Sequence, residues 1–167
     1  MPNYRRYRVP GGTFFFTVNL ADRSSRLLTD RIGDFRRAYA SVARERPFET
    51  VAACVLPNHL HTVWSLPEGD TDYSLRWQLI KTRFTRAVPD AAPGRRPGER
   101  AVWQRRFYER WLRTGDDRRA AVAYVHGNPV KHRLVQAIDD WPHSTWHDPD
   151  RRRSPQGLAP LRAAIDS

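Results

Sequence analysis

The chain has 167 residues, one cysteine and a formal net charge of +11. This length leads us to expect one domain rather than two, and a single cysteine excludes an internal disulfide. The basic excess favours a polyanionic partner such as nucleic acid over a merely soluble basic surface or a ribosome-associated protein. No apolar stretch approaches the ~20 residues that span a membrane, and no apolar segment follows the charged amino terminus. We therefore expect a soluble cytoplasmic protein with neither a signal peptide nor a membrane partner.

The first half of the chain predicts three strands and one helix. Alternating apolar and polar residues predict a half-buried strand over residues 13–20. Apolar residues at helical spacing predict a helix over about residues 29–46, which Pro47 ends. The apolar run 48–56 is typical of a central strand buried on both faces, and another strand covers 59–66.

The second half adds two helices and an extended segment. Helices are predicted over about residues 72–88 and from near 116 to 128, where Pro129 ends the second one. A flexible basic loop over 89–100 precedes an extended aromatic segment over 102–112. This order of elements indicates an α+β fold, a ferredoxin-like sandwich whose antiparallel sheet carries helices mainly on one face.

Two histidines lie two residues apart on a predicted strand. Because residues i and i+2 of a strand share a face, His59 and His61 project together while Leu60 points the other way. Two neutral imidazoles side by side make half of a divalent-metal site. The alternative is two ordinary strand histidines with hydrogen bonds of their own, and the pair alone leaves both interpretations open.

Tyr124 and Asn128 are i and i+4 on a predicted helix, so they lie one turn apart on one face. A phenol and an amide oxygen placed in this way can supply a nucleophile and a third metal ligand. The alternative is a half-buried tyrosine, with Asn128 as a helix cap before Pro129. By spacing alone, the second of these interpretations is the favoured one.

Three stretches of the sequence together carry a family likeness. They are Tyr4-Arg5-Arg6 with Gly11-Gly12-Thr13-Phe14-Phe15-Phe16-Thr17-Val18-Asn19-Leu20, then Leu56-Pro57-Asn58-His59-Leu60-His61 through Trp64-Ser65-Leu66-Pro67-Glu68-Gly69-Asp70, and Tyr124-Val125-His126-Gly127-Asn128-Pro129-Val130-Lys131-His132. In order and spacing, over about residues 4–147, the sequence resembles the REP-associated tyrosine transposases. Those bacterial enzymes belong to the HUH superfamily of single-strand nucleases, so the resemblance implies the HUH nuclease fold and a bacterial cytoplasmic location.

The resemblance also implies a mechanism. His59, His61 and Asn128 would hold Mg²⁺ or Mn²⁺ against the scissile phosphate. Tyr124 would attack that phosphate and form a 5′-phosphotyrosine, which a later strand can resolve without ATP. The substrate would be single-stranded DNA with palindromic, hairpin-forming repeats, cut and rejoined by a monomer or a homodimer.

Arginines are the predicted contacts to DNA, because a guanidinium suits phosphate and stacks on bases. The candidates are Arg5, Arg6, Arg8, Arg76, Arg83, Arg95, Arg96, Arg105 and Arg106. For any single arginine, the alternative of a solvated surface residue is the favoured one. Exposed tyrosine or tryptophan side chains would stack on unpaired bases, but the tryptophans at 64, 77, 103 and 111 are expected in the core.

The chain departs from the family pattern at several points. It has Tyr108-Glu109-Arg110 where Trp-Glu-His is expected, and Arg133 where a glycine is common. We assign residues 1–147 to the transposase domain and expect a divergent, poorly ordered tail over 148–167.

Two other functions compete with the transposase. One is a sequence-specific hairpin-binding protein that no longer cleaves DNA, and the other is a metal-dependent phosphodiesterase that delivers water instead of a tyrosine. The intact set of two histidines, a tyrosine and an asparagine argues against the inactive binder.

Overall fold

The computed structural model describes residues 5–88 and 102–148, so the predicted loop 89–100 and the tail beyond 148 lie outside the described residues. The strands are β1 Thr13–Asn19, β2 Glu49–Val55, β3 His59–Ser65 and β4 Tyr108–Trp111. The helices are α1 Leu27–Asp30, α2 Ile32–Glu45, α3 Tyr73–Ala87 and α4 Gly115–Lys131, and two short 3₁₀ turns follow at Ile138–Asp140 and Thr145–His147. Within the described ranges, no helix has the length and apolar character that a membrane span needs.

The four strands form one antiparallel sheet in the order β2-β3-β1-β4. Strand β1 is central because its side chains are apolar on both faces. Phe14, Phe16 and Val18 are fully buried in the core formed with α2 and α3, while Phe15 faces a second cluster that includes Val125 of α4. This arrangement confirms the predicted α+β sandwich, with the first three helices on one face of the sheet and α4 on the other.

Aromatic stacking fills the larger core. Trp64 of β3 stacks on Trp77 of α3 with ring centroids 4.3 Å apart, and its Nε1 donates to the hydroxyl oxygen of Tyr39 at 2.8 Å. Both tryptophans are fully buried, whereas Trp103 and Trp111 are partly buried against the same cluster. The expectation that these four tryptophans belong to the core is confirmed.

Strand β2 lies at an edge of the sheet, so its predicted central position is wrong. Its predicted burial is correct, because Ala52 and Cys54 pack in the second cluster with α4 and Val55 packs in the larger core. The segment after α4 also covers the edge. Val55 N donates to the carbonyl of His143 at 2.9 Å, Trp141 Nε1 donates to the carbonyl of Val55 at 3.0 Å, and Cys54 bridges to Ser144. Covering an edge in this way protects its unpaired backbone groups from pairing with another chain.

Helix α4 starts with a capping box in which the side chain of Thr114 accepts from the backbone of Asp117 and the side chain of Asp117 accepts from the backbone of Thr114. Pro129 lies inside the helix and does not end it, contrary to the prediction. Proline removes only one donor in this last turn, and the hydrogen bonds resume at once, with His132 N donating to the carbonyl of Asn128 at 3.0 Å.

The end of α4 is a Schellman motif. Leu134 N donates to the carbonyl of Pro129 at 2.9 Å, and Arg133 N donates to that of Val130 at 3.0 Å. Arg133 adopts φ 56°, the left-handed conformation that this motif requires and that glycine usually supplies. This geometry is the physical reason for a glycine to be common at this position.

Candidate active site and metal centre

The sheet presents two imidazoles toward α4. His59 and His61 are 6% and 4% exposed, and their ring centroids are 4.9 Å apart. Tyr124 on α4 meets them, with its ring centroid 5.3 Å from that of His61. Phe15 of β1 stacks on His61 from the neighbouring strand at 5.5 Å. The fold therefore brings together three of the predicted site residues, since strand alternation aims both histidines at one helix.

Hydrogen bonds orient both imidazoles. Asn58 Oδ1, which can only accept, lies 2.6 Å from His59 Nδ1, so the proton is on Nδ1 and the lone pair is on Nε2. Thr17 is paired with His61 across the strands, and its hydroxyl lies 2.8 Å from His61 Nδ1. His61 Nε2 is buried without a hydrogen-bond partner. Partners on Nδ1 that leave Nε2 free are the usual arrangement of metal-binding histidines.

Burial keeps the two histidines neutral. Desolvation lowers the pKa of His59 to about 4 and that of His61 to about 3. Repulsion from His132 lowers both values further, and for His61 the neighbouring His59 also contributes. Both imidazoles therefore offer lone pairs near neutral pH, as metal binding requires.

Asn128, the predicted third ligand, is completely buried on α4. Its amide lies close to both imidazoles and raises the pKa of each one, against the larger effect of burial. Neither its Oδ1 nor its Nδ2 makes a hydrogen bond of normal geometry. Buried polar atoms without partners are costly. A cation bound by the amide oxygen and His61 Nε2 would satisfy both atoms, so these residues fit a metal.

His132 adds a third imidazole that the sequence interpretation did not assign to the metal. It follows α4 directly, and its ring centroid is 5.1 Å from that of His59. One nitrogen from each of His59, His61 and His132 lies within 4.8 Å of the others. The available sequence feature was its i+4 spacing from Asn128, which places both residues on one helical face.

Tyr124 is 41% exposed, so the phenol is open to a large substrate. Lys131 is the last residue of the same helix, seven residues after Tyr124. Its Nζ lies 3.3 Å from the phenol oxygen of Tyr124 and 4.7 Å from the centroid of its ring. This ammonium group stabilises negative charge on the oxygen. Sequence interpretation had not given Lys131 a role.

A groove of about 380 Å³ lies beside Tyr124, between the β1–β4 strand pair and α4. We call it the Tyr108 groove, because Tyr108 lines it and is 55% exposed. Its other lining residues include Phe15, Thr17 and Arg110. Tyr108 and Arg110 are two of the positions where the chain departs from the family pattern, and neither was predicted to bind DNA.

The predicted DNA-binding arginines lie in different settings. Arg5, Arg8, Arg105 and Arg106 are exposed, and Arg95 and Arg96 lie outside the described residues. Arg6 pairs with the buried Glu109 at 2.6 Å and lies over the ring of Phe107. Arg83 pairs with Glu45 and donates to Ser41, but stays partly exposed.

Arg76 requires a correction, because its side chain is only 4% exposed. Its guanidinium donates to the carbonyls of Arg46, Pro47 and Asp72 and pairs with Asp70 at 2.6 Å. These partners occupy it fully and hold it away from solvent. Its role is to join the end of α2 to the start of α3, and the predicted contact with DNA is withdrawn.

Comparison with known proteins gives close likenesses, although no family model matches the chain. The chain is 46% identical over 166 residues to the REP-associated tyrosine transposase of Escherichia coli (strain K12), covering 99% of this chain and 93% of that protein. A Haemophilus influenzae protein named in the same family is 43% identical over 152 residues, covering 88% and 86%.

A solved structure agrees with these relatives. The structure of a REP-associated tyrosine transposase bound to a REP hairpin matches with a TM-score of 0.83 at 47% identity, covering 95% of this chain and 92% of that one. The fold is therefore that of a tyrosine transposase. The chain belongs to the family of REP-associated tyrosine transposases.

Proposed function

We propose that this protein cuts and rejoins single-stranded DNA beside a hairpin, with Tyr124 as the nucleophile. The observation that carries the proposal is the position of this exposed phenol. Its ring lies 5.3 Å from that of His61, whose buried Nε2 has no hydrogen-bond partner. An accessible nucleophile beside free metal-ligand atoms is suited to phosphodiester chemistry.

His59, His61 and Asn128 would hold a divalent cation. When bound, such a cation withdraws charge from a non-bridging phosphate oxygen and makes the phosphorus easier to attack. Asn58 and Thr17 orient the two imidazoles through Nδ1, so that the Nε2 atoms stay in place without metal. This preorganisation avoids a rearrangement when the DNA arrives.

In the cleavage step, the phenol oxygen of Tyr124 forms a bond to phosphorus, and the bond from phosphorus to the 3′ oxygen breaks. The phenol gives up its proton and the departing oxygen gains one, which leaves a 5′-phosphotyrosine and a free 3′-hydroxyl. Lys131, 3.3 Å from the phenol oxygen, stabilises the negative charge that develops there. A 3′-hydroxyl of a second strand reverses these steps and rejoins the DNA without ATP.

The DNA would reach Tyr124 through the Tyr108 groove. An unpaired base can stack on the exposed ring of Tyr108, while Arg110 supplies a positive charge to the neighbouring phosphate. The structural relative is bound to a REP hairpin, which supports a hairpin beside this single strand. The exposed arginines of the amino-terminal arm and of residues 105–106 would contact its phosphates.

The test is a denaturing-gel assay of labelled single-stranded REP hairpins with a divalent cation, comparing wild type with Tyr124→Phe. We expect a covalent protein–DNA band with wild type and none with the variant. Tyr7→Phe is the matched control, because Tyr7 is 57% exposed and packs near Trp111 rather than the histidines. It should keep the band.

The other two outcomes identify the competing functions. Hairpins that bind tightly but never form a band with wild type would indicate a binding protein that does not cleave. Cleavage that persists in Tyr124→Phe but requires metal would indicate hydrolysis by water. Either result would overturn the assignment of Tyr124 as nucleophile.

A further inference from the structure

We infer that His132 is a direct ligand of the cation, and that the site selects imidazole-preferring transition cations such as Co²⁺ and Zn²⁺ over Mg²⁺. The inference rests on the proposed function in one respect, since it takes His59 and His61 as metal ligands. It adds a third imidazole and a preference among cations. Both additions are testable without DNA.

The backbone places His132 at the site. It is the C-cap residue of α4, and its amide donates to the carbonyl of Asn128 at 3.0 Å. The following residue, Arg133, adopts φ 56° and closes the Schellman motif. The chain therefore changes direction immediately after His132, at the end of α4. The ring centroid of His132 lies 5.1 Å from that of His59.

The separations suit one shared ion. Nitrogen ligands about 2.1 Å from one tetrahedral cation lie ~3.4 Å apart. The three histidine donor atoms are all within 4.8 Å of one another, so a movement that shortens their separations by at most ~1.4 Å brings them to one ion. The exposed side chain of His132 is free to make this movement, whereas the other two rings are buried.

The donor set decides which cation is preferred. Within residues 5–88 and 102–148, no carboxylate joins the three histidines, and Asn128 is the neutral oxygen donor beside them. Mg²⁺ prefers oxygen ligands and water, whereas imidazole suits later first-row cations. Three imidazoles without a carboxylate therefore favour Co²⁺ and Zn²⁺ strongly and Mn²⁺ moderately.

The experiment is calorimetric titration of the metal-free protein with the chlorides of Co²⁺ and Mg²⁺. We expect Co²⁺ to bind at least ~100-fold more tightly than Mg²⁺. His132→Ala should lose at least ~10-fold in Co²⁺ affinity and little in Mg²⁺ affinity. His147→Ala is the control, because His147 is an exposed histidine near Trp141 that lies outside the cluster.

His132→Cys supplies a rescue that a merely structural role would not produce. A thiolate at this position should restore Co²⁺ binding and add a sulfur-to-cobalt absorption band in the near ultraviolet. Cys54 does not interfere, because it is buried and its pKa is raised to about 12.

Unchanged Co²⁺ affinity in His132→Ala, or no sulfur-to-cobalt band in His132→Cys, would overturn the assignment of His132. Equal affinity for Mg²⁺ and Co²⁺ would overturn the preference. These outcomes are separate from the covalent-adduct assay. A protein that binds Co²⁺ as expected but forms no adduct would contradict the proposed cleavage and leave this inference standing.

Discussion

Replacing Arg76 by methionine tests whether this arginine stabilises the fold or binds DNA. The guanidinium donates to the carbonyls of Arg46, Pro47 and Asp72 at 3.0, 2.9 and 2.8 Å and pairs with Asp70 at 2.6 Å. Breaking a fully buried ion pair costs about 3–5 kcal/mol. Asp70 is 28% exposed and regains some water, so we expect a loss of ~3 kcal/mol in the free energy of unfolding.

The assay is urea unfolding followed by tryptophan fluorescence, with hairpin affinity measured under conditions where both proteins are folded. Arg83→Met is the matched control on the same helix, because Arg83 pairs with a 58% exposed Glu45 and should lose less than about 1 kcal/mol. The reasoning is refuted if Arg76→Met loses no more stability than the control. It is also refuted if folded Arg76→Met loses more hairpin affinity than folded Arg83→Met.

Three further predictions follow from the site and the helix end. Arg133→Gly should raise the free energy of unfolding by ~0.5–1 kcal/mol, because glycine adopts φ 56° without strain. The control Arg133→Ala should not raise it. Equal urea midpoints for the two variants would contradict this account. His59 and His61 have folded-state pKa values of about 4 and 3, below the unfolded value near 6.5. Their contribution to stability is therefore complete above pH 6.5 and is lost as the pH falls from there toward the folded-state values of about 4 and 3. The urea midpoint of metal-free protein should drop between pH 7.5 and 5, and a His59→Gln/His61→Gln double variant with the same drop would exclude these groups as its cause. Tyr108→Ala should weaken single-strand binding by ~1–3 kcal/mol, whereas Tyr108→Phe should not; fluorescence anisotropy checks this, and wild-type affinity in the alanine variant would count against base stacking.

Local sequence patterns were sufficient to predict most of the strands and helices. They also predicted the two pairs of site residues, each pair on one face of its own element. Alternation along residues 13–20 and 59–66 predicted two strands and put His59 and His61 on one face, because side-chain direction in a strand depends only on sequence parity. Helical spacing likewise put Tyr124 and Asn128 on one face. The family motif linked these two short-range patterns, which spacing alone could not do.

Other features depended on contacts between distant parts of the chain. The edge position of β2 follows from the order of the strands in the sheet, and the segment near His143 covers this edge. The apolar sequence of β2 is typical of a central strand and could not show either feature. Arg76 was predicted to contact DNA because helical spacing cannot show that carbonyls from another helix end surround it.

The sequence by itself determined the strand and helix periodicity, the paired histidines and the tyrosine–asparagine face, because each depends on neighbours within one or two turns of the chain. Only the tertiary structure decided that His132 joins the site. Its position depends on a left-handed Arg133, a conformation that arginine disfavours by itself and that the hydrogen bonds of the Schellman motif impose. Packing of α4 against the sheet then brings this helix end beside His59, across more than seventy residues of sequence.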